Sequence, residues 1–399
     1  MTPRRLVGRA VPRIDAPEKV TGAARYVDDL VLPGMWFGRT VRSRSPHARL
    51  VALRRDPAFD WSRAVFVDAS DVPGENVVAL IEDDQPALAS GEIRHVAEPL
   101  ALVAAASPEE AEAASRAVEA LEAPLPAAFT LEEALGGGVR LHGEDNVFKR
   151  IEVRKGDVEA AFARAEVVVE GEYATGPQEQ LYIEPQGMIA EPRPDGGIVV
   201  RGSMQCPFYV HRALKRLLAL PDEKVVVVQT VTGGGFGGKE EYPSMIAAHA
   251  ALLARKAGRP VKIVYDRHED LVATTKRHPS RIRHRTALTR GGELLGMDID
   301  LALDGGAYTT LSPVVLSRAV LHAAGAYRCE NVRIRGRVVA TNHPPHGAFR
   351  GFGAPQALFA LELHVTRIAR ELGLDPIELR RRWALREGDA TPTGQVLRW

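Results

Sequence analysis

The segment Val225-Val-Val-Val-Gln-Thr-Val-Thr-Gly-Gly-Gly-Phe-Gly-Gly-Lys-Glu-Glu, residues 225–241, is the part of the chain from which fold and function are inferred. Its β-branched first half predicts a strand, because branched side chains pack well on a pleated sheet. Five glycines around Phe236 permit positive φ angles and let the backbone approach a bound group closely. We predict that a helix follows Lys239, and that its N-terminal N–H groups favour an anionic or oxo-rich ligand.

A phosphate loop is the first interpretation of these glycines. Gly233, Gly238 and Lys239 satisfy the pattern GxxxxGK. The next residue is Glu240, where a phosphate loop needs a Ser or Thr hydroxyl for Mg²⁺ and where a carboxylate would repel the phosphates. The missing hydroxyl argues against this interpretation.

A dinucleotide-binding loop is the second interpretation. Gly233, Gly235 and Gly238 satisfy GxGxxG between a predicted strand and a predicted helix, and Asp266 ends the next predicted strand, where an acid could bind a ribose. However, the chain after Asp266 continues as an Arg- and His-rich loop and a hairpin instead of further βαβ units. That continuation argues against a dinucleotide fold.

Length and composition narrow the class of protein. The 399 residues correspond to about two or three domains, and a net charge of +1 excludes a broad basic surface for nucleic acid or anionic lipid. Two cysteines, Cys206 and Cys329, are too few for a disulfide framework, an iron–sulfur cluster or a structural zinc site held by this chain alone. We find neither a signal peptide nor a run of about 18 apolar residues, and therefore expect a cytoplasmic protein without a membrane span.

The pattern of elements predicts two units. Residues 1–25 predict an extended arm, residues 30–125 a small α/β unit with a helix capped by Ser107, and residues from 151 onward a larger mixed unit. The predicted elements are strands at 38–41, 64–68, 77–81, 100–105, 167–173, 197–202, 225–230 and 261–265, helices at 210–218, 244–256 (closed by Gly258) and 357–372, and a hairpin at 281–303.

Several segments together resemble the molybdopterin-binding subunit of the xanthine dehydrogenase/aldehyde oxidase family. Residues 233–240 (Gly-Gly-Gly-Phe-Gly-Gly-Lys-Glu) resemble one family signature, and residues 348–356 (Ala-Phe-Arg-Gly-Phe-Gly-Ala-Pro-Gln) resemble a second. Order and spacing match along essentially the whole chain. The other matching segments are residues 8–26, 32–35, 42–48 and 182–186.

The resemblance implies an α+β (mixed α/β) fold, in which an α/β hammerhead domain precedes the first molybdenum-cofactor-binding domain. The implied boundaries are an N-terminal arm at 1–17, the hammerhead at 18–125, a linker at 126–150 and the first molybdopterin-binding domain at 151–399. This last domain would be incomplete without a C-terminal half.

The resemblance also implies cofactor contacts. The Gln205 side chain would bond an oxo ligand of molybdenum, and backbone groups would approach the metal and the pterin. Backbone donors are suited to this, because they hold an oxo group without adding a titrating charge. No side chain is expected to ligate the metal directly. The implied backbone positions are Gly235, Phe236, Gly237, Ala348, Phe349 and Arg350.

Three further positions resemble substrate-pocket residues. Glu240 would hydrogen-bond a heterocycle, Phe352 would stack on an aromatic ring, and Arg318 would polarise a substrate oxygen. Purine enzymes of the family have a Glu before this Arg, where the chain has Ser317, and this difference argues against purine specificity. The carbon monoxide dehydrogenase branch has a Cys where the chain has Gly351, which argues against that branch.

The implied reaction is hydroxylation of an electron-poor carbon of an N-heterocycle or aldehyde, with water as the oxygen source. Its cofactor would be molybdenum-molybdopterin, with the cytosine dinucleotide form as one alternative. The family's general-base Glu lies in a GxGE segment, which these 399 residues lack, so no catalytic residue is predicted here. The predicted partners are a C-terminal molybdopterin half-subunit, as in nicotinate dehydrogenase-like enzymes, an iron–sulfur subunit with [2Fe-2S] clusters and a FAD subunit. The alternative is a truncated or non-catalytic cofactor-binding remnant.

Structural roles remain open for the same residues. Gln205 could cap a turn, and Phe236 could be a buried anchor. Arg318 and Arg350 could be ion-pair partners. Glu240 would be favoured in the first turn of a helix by the helix dipole alone.

The histidines and one basic segment are additional candidates. The spacing of His47, His278, His343 and His346 fits no zinc pattern. Residues 276–285 (Lys-Arg-His-Pro-Ser-Arg-Ile-Arg-His-Arg) are strongly basic. They could contact the phosphate tail of the cofactor, face solvent as a loop, or form a subunit interface.

Overall fold

A computed structural model describes residues 7–78 and 80–398 of the chain. The strands in this part form sheets of seven, five and three strands. The strands are β1 (Trp36–Arg42), β2 (Ala48–Arg55), β3 (Ala64–Val67), β4 (Glu92–Ile93), β5 (Pro99–Ala105), β6 (Val118–Pro124), β7 (Val147–Lys155), β8 (Val167–Thr175), β9 (Gly187–Pro192), β10 (Ile198–Gly202), β11 (Val225–Gln229), β12 (Val261–Val264), β13 (Ser280–Leu288), β14 (Leu294–Gly306) and β15 (Val332–Ala340).

Most of the helices contact strands of the two larger sheets. They are α1 (Ala16–Val20), α2 (Pro108–Arg116), α3 (Leu131–Leu135), α4 (Val158–Ala163), α5 (Pro207–Leu218), α6 (Pro243–Ala257), α7 (Arg267–Ala273), α8 (Ser312–His322), α9 (Ala354–Glu371) and α10 (Pro376–Trp383).

The seven-stranded sheet contains strands from both predicted units. Its order is β11-β10-β9-β12-β1-β5-β3. The join is a parallel pairing of β1 with β12, in which Trp36 lies opposite Val261 and Phe37 opposite Lys262. The sequence pattern did not show this pairing, because hydrophobic periodicity identifies a strand but not a distant partner.

Helix α6 lies at the centre of the core on the seven-stranded sheet. Every residue from Pro243 to Ala254 is buried, as expected for a helix that is apolar on all sides. Gly258 ends the helix with a φ of +64°. The predicted helix at 244–256 and its glycine stop are confirmed.

The five-stranded sheet has the order β7-β15-β14-β13-β8 and carries the second core. Strands β13 and β14 pair antiparallel around a turn at Gly292, whose φ is +81°. The hairpin predicted at 281–303 is therefore confirmed. Helices α8 and α9 contribute to the core on this sheet, and the loop at the N-terminus of α9 contacts the glycine loop.

The strand predicted at 77–81 is wrong, although Ala79 lies outside the described residues. The segment is a loop whose hydrogen bonds go elsewhere. Val78 N–H donates to Gln85 O (3.0 Å), and the Arg212 side chain of α5 donates to Leu80 O (3.0 Å). The Asn76 side chain bonds the Leu88 backbone in both directions, at 2.7 and 3.1 Å. Val78 is buried in the core through this loop rather than through a sheet.

Local polar bonding also produced elements that the sequence pattern missed. The predicted extended arm contains the short helix α1, which the Thr21 hydroxyl closes by donating to Pro17 O (2.7 Å). Residues 1–6 of this arm lie outside the described residues. Helix α3 lies in the stretch predicted as a linker, with Thr130 and Glu133 forming a capping box. The three-stranded sheet β4-β2-β6 was also missed.

Candidate active site

The glycine loop between β11 and α6 packs against protein on several sides. A tight turn closes it, in which Gly238 N–H donates to Gly235 O (2.8 Å). A Cβ on Gly235 would overlap the Gln205 carboxamide, and a Cβ on Gly237 would lie 2.7 Å from the Ala348 carbonyl atoms. The glycines therefore let other parts of the protein approach the loop, besides any bound group.

Gln205 lies between β10 and α5, and the glycine loop fixes its carboxamide. Its Oε1 accepts hydrogen bonds from Gly237 N–H (2.9 Å) and Lys239 N–H (3.3 Å). The side chain is exposed, and Nε2 is left as its outward donor. Any bond from Gln205 to an oxo group would come from this Nε2, because an oxo group only accepts.

A second loop, which precedes α9, lies directly on the glycine loop. Arg350 N–H donates to Phe236 O (2.9 Å). Gln180 Nε2 donates to Ala348 O (2.8 Å), and Ala348 N–H donates to Glu241 Oε1 (3.0 Å). The structure thus brings together the two segments that the sequence analysis assigned to the cofactor.

Phe236 and Phe349 each have a backbone N–H without an acceptor among the described residues. By contrast, the N–H groups of Gly237, Ala348 and Arg350 are bonded within the protein. Phe236 has a φ of +50° and is 49% exposed, so the alternative of a buried anchor is wrong. A non-glycine residue in the left-handed region costs about 1–3 kcal/mol and is most often retained at a functional site.

Lys239 points into the protein. Its side chain is fully buried, and Nζ donates to Glu184 Oε2 (3.0 Å) and Ser203 Oγ (2.9 Å). Burial lowers the pKa of Lys239, and the carboxylate of Glu184 opposes that shift. The lysine of a phosphate loop must reach the ligand, so this orientation is a second argument against that interpretation.

The helix after the glycine loop begins beyond Glu240. Glu240 N–H donates to Gly237 O (3.0 Å) in another tight turn, and α6 begins only at Pro243, which fits a first helical position. Glu240 therefore lies outside the helix, and its placement in a first helical turn was wrong. Pro243 and Ser244 are buried, so the helix start packs in the core and does not face a ligand.

The three predicted substrate residues lie close together. The Arg318 guanidinium carbon, on α8, lies 5.3 Å from the centroid of the Phe352 ring. Burial raises the pKa of Glu240, and the charge of Arg318 opposes that shift. Phe352 has a φ of +49°. The roles of these three residues stay predictions.

Arg318 and Arg350 are both exposed. Among the described residues, no carboxylate oxygen lies within 4.0 Å of either guanidinium group. The alternative of a structural ion pair is therefore wrong for both arginines in this part of the chain.

The basic segment 276–285 makes contacts with other parts of the folded chain. Lys276 pairs with Glu179 (2.7 Å). Arg277 donates to Gln178 Oε1 (2.7 Å), and its guanidinium carbon lies 4.0 Å from the centroid of the Phe349 ring. His278 is buried and residues 280–285 belong to β13, so the alternative of a solvated loop is wrong. Arg277 supports the second loop, a role that the sequence pattern did not indicate.

Glu241 is a further residue of the site that the sequence pattern did not indicate. It is buried, and a Cβ on Gly347 would overlap its Oε1. Its Oε2 has no partner among the described residues. Burial raises the pKa of Glu241 to about 7, against the bond from Ala348 N–H, which lowers it. No motif distinguished this carboxyl group from its neighbour Glu240.

Glu241 predicts a pH dependence of stability. A carboxyl group whose pKa is higher in the folded chain binds an extra proton there, so its contribution is present below about pH 4.5 and is lost as pH rises through about 7. The lost contribution is roughly 3 kcal/mol. Glu241→Gln keeps an acceptor for Ala348 N–H and removes the titration.

We expect the melting temperature of Glu241→Gln to vary less than that of the wild type between pH 5 and about 8, with the largest gain at the alkaline end. Glu119→Gln, at an exposed position, is the matched control and should keep the wild-type slope. Parallel wild-type and Glu241→Gln curves would contradict a raised pKa at this residue.

Comparison with known proteins identifies the family. Residues 21–122 match the model described as "Aldehyde oxidase and xanthine dehydrogenase, a/b hammerhead domain". Residues 141–384, more than half of the chain, match the model described as "Molybdopterin cofactor-binding domain". The chain belongs to the xanthine dehydrogenase/aldehyde oxidase family of molybdopterin-binding proteins. The predicted fold class, a hammerhead domain followed by a molybdenum-cofactor-binding domain, is confirmed.

Individual relatives agree with this assignment. The chain is 40% identical over 383 residues to a probable xanthine dehydrogenase subunit of Bacillus subtilis, covering 95% of this chain and 51% of the relative. It is 36% identical over 395 residues to "Nicotinate dehydrogenase large molybdopterin subunit" of Eubacterium barkeri. This match covers 98% of this chain and 92% of that subunit. The aldehyde oxidoreductase of Desulfovibrio desulfuricans ATCC 27774 superposes with a TM-score of 0.92 at 29% identity. The superposition covers 98% of this chain and 45% of the oxidoreductase.

The chain thus spans about half the length of the Bacillus relative and of the superposed oxidoreductase, and about nine-tenths of the nicotinate dehydrogenase subunit. Its membership in a family of molybdenum oxidoreductases is established. Among residues 7–78 and 80–398, no helix combines the length and the apolar composition needed to cross a bilayer.

Proposed function

We propose that this chain forms one wall of the active site of a molybdenum hydroxylase that oxidises an electron-poor carbon of an N-heterocycle or an aldehyde with water as the oxygen source. The observation that carries the proposal is the hydrogen bond from Arg350 N–H to Phe236 O (2.9 Å). It joins the two family loops, and the N–H groups of Phe236 and Phe349, one on each loop, are left as donors. The Gln205 carboxamide supplies a third donor on the glycine loop.

This donor set fits the molybdenum cofactor. All three donors are neutral N–H groups, which stabilise oxo groups without competing for protons. When bound, the cofactor would supply the two-electron redox chemistry and the activated oxygen. The chain would hold it through Gln205 Nε2, Phe236 N–H and Phe349 N–H, while Glu241 and Gln180 fix the Ala348 peptide from behind.

The substrate would occupy the space beside Glu240, Arg318 and Phe352. Arg318 lies over the Phe352 ring, so the guanidinium group would stabilise negative charge on a substrate oxygen while the ring restricts its direction. Glu240 is half-buried with a raised pKa, which suits a side chain that exchanges hydrogen bonds with a ring nitrogen. Ser317 before Arg318 favours substrates other than purines.

The remaining parts of the reaction would come from other protein segments. We propose that a C-terminal molybdopterin half supplies the general-base Glu, and that iron–sulfur and FAD subunits carry the electrons away. The chain covers 92% of the nicotinate dehydrogenase large molybdopterin subunit of Eubacterium barkeri, and this coverage supports a heteromeric arrangement. A non-catalytic cofactor-binding protein is the second candidate, and turnover measurements separate the two.

The test is substrate-dependent dye reduction by the complex purified from its native source, with N-heterocycles and aldehydes in turn. Arg318→Ala should lower kcat/KM about 100-fold because it removes stabilisation of developing charge. Its molybdenum content should stay at the wild-type level. Arg370→Ala, an exposed arginine of α9, is the matched control.

A native complex that contains no molybdenum would refute the proposal. A complex that holds molybdenum but turns over none of the compounds would favour the non-catalytic candidate. Equal kcat/KM values for Arg318→Ala and Arg370→Ala would show that Arg318 does not act on the substrate.

A further inference from the structure

Two carboxylates and one imidazole meet where a loop of the hammerhead domain contacts the cofactor-binding domain. Glu82 and Asp84 lie in the loop between β3 and β4, and His142 lies between α3 and β7. One ligand atom from each residue lies within 4.8 Å of the ligand atoms of the other two. It is the only such group of His, Cys, Asp or Glu side chains in the part of the chain that the structure describes.

The carboxylate of Asp84 is oriented by the second domain. Thr309 N–H donates to Asp84 Oδ2 (2.7 Å), and the Thr309 hydroxyl donates to Glu82 Oε2 (3.4 Å). Asp84 Oδ1 is a buried atom with no hydrogen-bond partner in the described residues. A buried acceptor left without a donor is costly and calls for an explanation. Burial raises the pKa of Asp84, and the neighbouring Glu82 raises it further.

His142 completes the group and is itself held in place. Its Nε2 lies 4.0 Å from Glu82 Oε2. Its ring packs edge-on against Phe148, with 4.7 Å between the ring centroids. Within residues 7–78 and 80–398, no Lys or Arg forms an ion pair with Glu82 or Asp84. Negative charge therefore accumulates here with only an imidazole beside it.

The donor set distinguishes between metal ions. Mg²⁺ and Ca²⁺ take oxygen ligands almost entirely, whereas an imidazole together with two carboxylates suits Zn²⁺. Ligand atoms around a tetrahedral Zn²⁺ lie roughly 3.4 Å apart. Small side-chain rotations would bring the three groups from their present separations to that distance.

We propose that Glu82, Asp84 and His142 bind a Zn²⁺ ion that clamps the hammerhead loop onto the cofactor-binding domain. Thr309 would act from behind the two carboxylates and fix their direction, as outer hydrogen-bond partners do in metal sites. The site is structural, because none of its members belongs to the candidate active site, and it is independent of the proposed function.

The clamped loop also covers part of the candidate active site from behind. Val78, Leu80 and Gln85 of this loop line a small cavity with Glu241 and Thr310. Thr310 follows Thr309 directly, so the ion would stabilise the protein layer that keeps the Glu241 carboxyl group away from water. Metal binding should therefore raise the melting temperature of the full chain.

The experiment is a titration of the full chain, in the complex in which it is isolated, with Zn²⁺ after removal of metals by a chelator. Calorimetry gives the stoichiometry, and melting curves with and without Zn²⁺ give the stabilisation. The variants are Glu82→Gln and His142→Gln, which leave Asp84 and its bond from Thr309 N–H unchanged. The matched control is His268→Ala, an exposed histidine on α7.

We expect one Zn²⁺ per chain and a higher melting temperature for the wild type and His268→Ala. For Glu82→Gln and His142→Gln, we expect at least about a tenfold loss of affinity and no thermal shift. Uptake of Zn²⁺ with equal affinity by all four proteins would show adventitious binding and overturn the proposal. Absence of uptake by the wild type would also overturn it.

Discussion

Replacement of Gly237 by alanine should prevent the chain from retaining the molybdenum cofactor. The φ of Gly237 is +101°, and a Cβ there would lie 2.7 Å from the carbonyl carbon and oxygen of Ala348 and 2.9 Å from Phe349 Cα. These are backbone atoms of the second loop, so the clash can be relieved only by separating the two loops. That separation would move the Phe349 N–H away from Phe236.

We expect molybdenum per chain in Gly237→Ala to fall about tenfold or more, in line with changes that disturb the support of a metal site. The measurement is elemental analysis of the purified complex. Gly138→Ala is the control, since its Cβ would meet nothing within 4 Å and its φ is not positive. Unchanged molybdenum in Gly237→Ala would show that the contact between the loops does not hold the cofactor.

Lys239→Met should destabilise the chain more than any exposed substitution. Lys239 is fully buried, and its removal would leave the Glu184 carboxylate, 13% exposed, without its cation. Breaking a buried ion pair from one side costs about 3–5 kcal/mol, because the remaining charge stays desolvated. Glu184 also accepts the Gly233 N–H (2.7 Å), so the start of the glycine loop would be disturbed as well.

The measurement is the first unfolding transition of the chain in denaturant and on heating. Lys256→Met is the control, because Lys256 pairs with Asp71 at the surface with 49% of its side chain exposed, and such pairs contribute at most about 1 kcal/mol. Adding Glu184→Gln to Lys239→Met should recover part of the loss. Equal losses of stability in Lys239→Met and Lys256→Met would show that the buried pair stabilises the chain no more than the surface pair.

Local sequence patterns predicted the elements whose determinants lie within them. The hairpin β13–β14 followed from alternating hydrophobicity around Gly291 and Gly292, and the end of α6 followed from Gly258. The strand at 77–81 failed because Val78 N–H donates to Gln85 O within the same loop, and the Arg212 side chain of α5 donates to Leu80 O. The apolar run there reflects burial of Val78, and burial alone does not specify a strand.

In the candidate site, too, local sequence identified some residues, whereas distant contacts determine the roles of others. Residue type and family resemblance selected Gln205, Phe236 and the loop before α9, and the structure brings them together. The direction of Lys239 depends on Glu184 and Ser203, which lie far away in the sequence. The importance of Glu241 depends on its burial against Gly347. Such tertiary environments cannot be inferred from the order of residues in one chain.

The parallel pairing of β1 with β12 has a consequence for synthesis of the protein. The ribosome releases β1, β3 and β5 long before β12, so the side of β1 that will receive Val261 stays unpaired during most of translation. An open strand edge is a template for pairing with other chains. We therefore expect the nascent hammerhead domain to expose this strand edge until β12, the last strand of its sheet, emerges.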